Sequence, residues 1–167
     1  DKHVTGVPPC ALPVSMNDPN AIWQRRDYSR VPFQLYHDLG IYRLEQDRVF
    51  RGQAWSLLGL EAEIPRPGDY RICYVGEVPV VFNRDAEGQV NAFVNRCAHR
   101  GAEIAREPFG NVPDFTCIYH NWCYSHRGEL IGVPVARGVK GRRGLPADFG
   151  MRQRRLRTPP AASWNCI

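Results

Sequence analysis

The sequence predicts a mainly antiparallel β domain preceded by one short helix. Three observations carry that reading. The short runs "YRICYV", "VPVVF" and "QVNAFV" follow one another, rich in β-branched and aromatic residues. "NRDAEG" lies between the last two as a hairpin loop around Asp85 to Gly88. "IPRPGD" supplies a Pro/Gly turn just before the first.

Composition bounds the rest. The chain has 167 residues, 43% hydrophobic and 23% charged, which suits one folded domain with a short appendage. No apolar run approaches the roughly 20 residues of a membrane helix, and no signal-like stretch opens the chain. A soluble cytoplasmic protein is therefore expected, with no membrane partner. The net charge is +5. Eight basic residues against the single acid Asp148 lie between Arg137 and Arg157. A nucleic-acid face needs such charge, but no aromatic residues interleave it as a stacking platform would require. No nucleic-acid partner is expected.

The elements follow in order. Residues 1–37 are read as an N-terminal arm, with Pro8, Pro9, Pro13 and Pro19 and little periodicity. "DLGIYRLEQDRVFRG" predicts a lead helix over 38–53, with Asp38 as N-cap and Gly52 as stop. "WSLLGL" (55–60) is a strand candidate. In "YRICYV", Ile72 and Tyr74 face opposite to Arg71, Cys73 and Val75. Val90, Ala92 and Val94 share one face of the strand that closes the hairpin.

Directly after Val94 comes "NRCAHRGAEI", and later "CIYHNWCYSHRGEL". Cys97 and His99 make C-x-H; Cys117 and His120 make C-x-x-H after a gap of 17 residues. Each pair directs a thiolate and an imidazole to one side of a loop, so two loops can close on one metal centre. The four atoms fit a tetrahedral Cys2His2 zinc site or a [2Fe–2S] cluster with the thiolates on one iron and the imidazoles on the other. Cys123 and His126 form a rival C-x-x-H. Cys10, Cys73 and Cys166 have no such pattern and read as small buried side chains.

The flanking residues resemble a known signature. "CAHRG" and "CIYHNW" are similar to the C-x-H-R-G and C-x-Y-H-G-W loops of Rieske proteins, and "YSHRGELIGVP" to the strand and turn that follow the second loop there. The resemblance implies an antiparallel Rieske [2Fe–2S] domain over 54–150. It also implies cofactor and metal ligands Cys97 and Cys117 on one iron, His99 and His120 on the other, with Arg100, Gly101 and Trp122 shaping the loops. Asn121 stands where glycine is usual; if that backbone needs φ > 0, asparagine is the least costly replacement. Respiratory Rieske proteins carry an inter-loop disulfide, at positions occupied here by Ala102 and Tyr119. A low-potential electron carrier is therefore implied.

"VPFQLYHDLGIYRLEQDRVFRGQAW", "LEAEIPRPGDY" and "GVKGRRGLPADF" resemble the N-terminal part of large (alpha) subunits of aromatic-ring-hydroxylating oxygenases, nearest the terephthalate, anthranilate and salicylate branch. What this resemblance implies is an oxidoreductase of aromatic hydrocarbon catabolism. In that family the Rieske domain passes electrons from a reductase or ferredoxin to a mononuclear non-haem Fe(II) that activates O2. The full-length alpha subunit forms a homo-oligomer, in some members with a small beta subunit, and takes aromatic acid and O2. The remaining histidines, His3, His37 and His126, form no close pair, so this chain is expected to lack the oxygenation site. Residues 151–167 are expected to be an atypical tail with the catalytic domain missing. A stand-alone Rieske ferredoxin-like carrier is the alternative, and a zinc module the next.

Overall fold

The computed structural model describes residues 29, 31–134, 136–138, 142, 144–146 and 148–163. The arm's first 28 residues and the last cysteine lie outside the described residues. The chain divides into two compact units, Asp1–Ala54 and Trp55–Ile167.

The described part of the first unit is mostly helical. After a 3-10 turn over Phe33–Tyr36, α1 spans Leu39–Glu45. Asp38 caps it as expected, its Oδ1 accepting the Gly40 and Ile41 backbone N–H groups at 2.7 and 3.0 Å. The helix then widens into a π-helical stretch over Gln46–Gln53, in which Gly52 (φ −84°, ψ −150°) leaves helical geometry. The stop at Gly52 is thus present in the backbone, and the widened turn was not legible in the sequence.

The second unit holds two sheets. Strands β1 (Asp69–Val75), β2 (Val78–Arg84) and β3 (Val90–Val94) form an antiparallel meander, and β4 (Phe109–Asn111) pairs with β1, giving the order β3-β2-β1-β4. A two-residue turn at Gly76 and Glu77 joins β1 to β2, with Gly76 at φ 58°, which glycine adopts without steric cost. The hairpin expected at Asp85–Gly88 forms, with the Gly88 N–H donating to the Asp85 carbonyl at 3.0 Å. A small second sheet has the order β5 (Phe115–Thr116), β6 (Cys123–Tyr124), β7 (Leu130–Gly132).

Strand alternation divides the core in two, as the sequence pattern of β1 required. Tyr70 and Ile72 pack with Val81, Phe93, Phe115, Tyr124 and Leu130 between the sheets. Cys73 and Val75 face the other way, with Ile64, Val80, Phe82 and Ala92. The strand expected over 55–60 does not form. Residues 54–60 join no sheet and instead lie across the β2 side, where Leu58 packs in the second cluster. A Cβ at Gly59 would stand 2.3 Å from Cζ of Phe82, so this glycine permits the close approach. The apolar character of this segment serves coverage of a sheet face rather than pairing along its edge.

The start of the tail is part of this fold. Leu156 is 1% exposed and joins the inter-sheet core. Its N–H donates to the Gly128 carbonyl, and the Val94 N–H donates to the Arg157 carbonyl at 2.8 Å. The tail therefore braces both the strand that leads into the first Cys/His loop and the turn that follows the second.

Candidate metal centre

The two loops fold as the same turn. In the first, the Cys97 N–H donates to the Ala102 carbonyl and the Gly101 N–H to the Cys97 carbonyl, each at 2.8 Å. In the second, the Cys117 N–H donates to Trp122 at 2.9 Å and the Asn121 N–H to Cys117 at 2.8 Å. The fifth residue of each turn is left-handed: Gly101 at φ 74° and Asn121 at φ 53°. Asn121 is the one non-glycine with positive φ among the described residues. The backbone there does need φ > 0, the condition under which asparagine is the least costly replacement for glycine.

Each turn is anchored from behind. Asn95, 1% exposed, spans the first loop: its Oδ1 accepts the Ile104 and Ala105 N–H groups at 3.0 Å, and its Nδ2 donates to the Ala105 carbonyl at 2.7 Å. The second loop is held between β5 and β6. Arg127, in the turn after β6, donates to Asp85 Oδ2 at 2.9 Å and so ties this hairpin to the β2–β3 turn.

Between the anchored turns the donors converge. The Cys97 and Cys117 thiols are buried, and the His99 and His120 rings lie 4.5 Å apart. Trp122 stacks on His99 at 4.7 Å with an interplanar angle of 7°, which fixes the imidazole plane. His99 Nδ1 is buried and has no hydrogen-bond partner. Leaving such an atom bare costs about 1–3 kcal/mol, and a metal ion that accepts its lone pair removes that cost. Burial, and then the neighbouring His120, Arg100 and Arg154, hold His99 below the usual histidine range. The ring is therefore neutral near pH 7, as a metal ligand must be.

Two residues that sequence reading passed over belong to this site. The Tyr124 hydroxyl accepts the Ala98 N–H at 3.2 Å and lies 3.2 Å from Cys97 Sγ; against a thiolate, which has no proton to give, the hydroxyl is the donor. Burial, and then Cys97, push its pKa up, and it remains a donor at any ordinary pH. Asn95 is the other. Its signal was faint, a buried polar residue two positions before a cysteine. Tyr124 had none, since its strand has only two residues.

The rival pair points elsewhere. Cys123 Sγ donates to Asp114 Oδ1 at 3.0 Å, and His126 Nε2 lies 3.1 Å from the Val112 carbonyl. Burial raises the Cys123 pKa, so its thiol is a poor candidate for a thiolate ligand. Cys73 is similar: burial pushes it up to about 11, and its Sγ donates to the Val80 carbonyl.

The profile of the Rieske [2Fe–2S] domain matches residues 54–143. The chain belongs to the Rieske [2Fe–2S] family. The cofactor of this Rieske domain is accordingly a [2Fe–2S] cluster, and two buried thiols with the buried, partnerless His99 Nδ1 fit one. The chain is 48% identical over 131 residues to the anthranilate 1,2-dioxygenase large subunit of Burkholderia cepacia, covering 78% of this chain and 31% of that protein. To the alpha 2 subunit of the terminal oxygenase component of terephthalate 1,2-dioxygenase from Comamonas sp. it is 48% identical over 127 residues, 76% of this chain and 31% of the relative. Among solved structures, naphthalene 1,2-dioxygenase from Rhodococcus sp. superposes with a TM-score of 0.68 at 36% identity, over 80% of this chain and 29% of that one. The chain thus spans about a third of the length of the relatives it matches.

Proposed function

We propose that the chain is the Rieske electron-transfer portion of an aromatic-ring-hydroxylating dioxygenase alpha subunit. In this reading Cys97 and Cys117 hold one iron of the cluster, and His99 and His120 hold the other. The observation that carries the ligand set is the pair of equivalent turns, each presenting one thiol and one imidazole, with His99 Nδ1 buried and partnerless. Among the described residues, no three His, Cys, Asp or Glu side chains are grouped as a single ion would require. A two-iron cluster asks only two protein donors of each iron, which supports it over a Cys2His2 zinc site.

Held by Cys97, Cys117, His99 and His120, the cluster would supply one-electron chemistry. The protein's own residues make that exchange easy. Asn95, Gly101 and Asn121 hold the turns fixed, Trp122 keeps the His99 plane, and Tyr124 directs a hydrogen bond at the Cys97 sulfur. A rigid donor set changes little between oxidation states, so little energy is needed for reorganisation.

The wider reading places the mononuclear non-haem iron, with its aromatic acid and O2, in the part of such an alpha subunit outside the aligned span. The electron arrives from a reductase or ferredoxin, and the full subunit forms a homo-oligomer, with or without a small beta subunit. Relatives named for anthranilate and terephthalate support an aromatic carboxylate substrate. No helix among the described residues is long and apolar enough to cross a membrane, in keeping with a cytoplasmic location. The proposed division is an arm over 1–37, a lead helix over 38–53, the Rieske domain over 54–150 and a tail over 151–167.

The test is iron and acid-labile sulfide analysis with electron paramagnetic resonance of the reduced protein. Two irons and two sulfides with a Rieske-type signal are expected; one zinc and no sulfide would replace this reading with the zinc module. Joining the chain to a catalytic domain, then supplying reductase, NADH and aromatic acid, separates the oxygenase part from a free-standing carrier. Product is expected from the joined protein and none from this chain alone.

A further inference from the structure

The two histidines differ in their surroundings. Beside His120 the surface is apolar: Tyr119 lies 4.3 Å from its ring, and Ile118 and Tyr119 are 59% and 63% exposed. Beside His99 it is cationic. Arg154 sits 4.4 Å over the Phe149 ring, Phe149 packs edge-on against Trp122 at 5.8 Å, and Trp122 stacks on His99. Arg100 follows His99 directly, and Arg100 and Arg154 both act electrostatically on it. Arg100, Arg152, Arg154 and Arg157 are exposed, and none has a carboxylate partner among the described residues. The aromatic contacts run without a break from the basic rim to the imidazole, while the charge of that rim is left uncompensated.

We infer that the exposed basic surface of Arg100 and Arg154, with Arg152 on the same 3-10 turn as Arg154 (Met151–Arg154), is the docking surface for an acidic electron-donor protein, whose electron arrives at the His99 side of the site. Unpaired cations on a surface suit a short-lived complex, because charge raises the association rate without binding the partner tightly. The apolar His120 side suits a lasting neighbour instead. Charge complementarity selects an acidic protein, and the rings behind Arg154 keep the route to His99 short and dry. One electron leaves the donor's reduced centre, which is oxidised, and is taken up here; no atom or proton is transferred.

This rests on the Rieske oxygenase reading, and the experiment separates the two. On the iron-loaded chain, binding of an oxidised acidic [2Fe–2S] ferredoxin is measured by calorimetry at low and high salt. The rate of reduction by the same ferredoxin, reduced, is measured alongside. The variants are Arg152→Glu/Arg154→Glu and, as a control, Arg66→Glu. Arg66 lies in the turn before β1, at the sheet end away from Val94 and the first loop. Affinity and rate are expected to fall about tenfold or more in the double variant and little in the control, with the wild-type rate falling steeply as salt is added. Equal losses in both variants would overturn the inference, as would a salt-independent wild-type rate or a rate loss wholly accounted for by a shifted midpoint potential. Tighter binding of a short DNA duplex than of the ferredoxin through Arg152 and Arg154 would overturn it too. A sample without iron and sulfide would overturn the Rieske reading itself, whereas a loaded sample with unchanged binding removes only the docking surface.

Discussion

At the scale of single residues, the site works by aiming few atoms well. The Tyr124 hydroxyl lies 3.2 Å from Cys97 Sγ, and as donor to a ligating thiolate it would spread the charge that the sulfur gains on reduction. A hydrogen bond whose strength differs by about 1 kcal/mol between oxidation states corresponds to roughly 40 mV for one electron. Tyr124→Phe is therefore expected to keep the cluster and lower the midpoint by about that amount, as read by a redox titration. The cysteines separate as sharply. Cys117 is buried at the head of its turn, whereas Cys123 is engaged with Asp114. Cys117→Ser should abolish the visible chromophore and Cys123→Ser should retain it; equal loss in both would favour the rival pair.

Elements position those atoms, and two of them make testable contributions. Leu156 fills the core between the sheets from the tail, where the sequence showed only a basic, proline-flanked stretch. Leu156→Ala is expected to destabilise the domain by about 2–5 kcal/mol in denaturant unfolding. The hairpin turn depends on Asp85. Burial works to raise its pKa, but the Gln89 N–H, Arg127 and Asn91 outweigh burial and hold the carboxyl below its usual range. A group depressed in the folded state stabilises above its unfolded pKa of about 3.9 and loses that contribution as pH falls through the folded value. Asp85→Asn should therefore lower the melting temperature at pH 7, and the gap to wild type should close as the pH falls through the depressed Asp85 value. A gap that persists unchanged at low pH would show that the Asp85 charge is not what matters.

For the whole molecule, redox poise follows from what the two turns do and do not contain. With Ala102 and Tyr119 at the positions that would bridge the loops, no disulfide withdraws charge from the cluster. Among the described residues, the Tyr124 hydroxyl is the one group within hydrogen-bond distance of a candidate ligand sulfur. The midpoint is expected near the low end of the Rieske range, about −150 mV. A titration giving a value well above zero would contradict it. Such a potential suits an acceptor that lies between a reductase and an oxygen-activating iron.

The sequence by itself determined the meander β1–β3, the Asp38 cap, the Asp85–Gly88 hairpin and the candidate ligands. Each is a local fact: alternation of period two, a capping side chain, a turn composition, or Cys and His at short spacing. For Asn121 it offered only a condition, that asparagine suits the position if the backbone there is left-handed, and the structure supplies the φ of 53°. Tertiary structure alone decided the rest. The 55–60 segment is as apolar as a strand yet covers a sheet face, since pairing depends on whether an edge is free. Neither Phe109–Asn111 nor Cys123–Tyr124 is long enough to show a period, and both become strands only because a partner lies alongside. Tyr124, Asn95 and Leu156 act across 26, 10 and 28 residues of chain, on Ala98, Ala105 and Gly128. Contacts at that separation leave no local pattern, because what fixes them is the packing of one element on another.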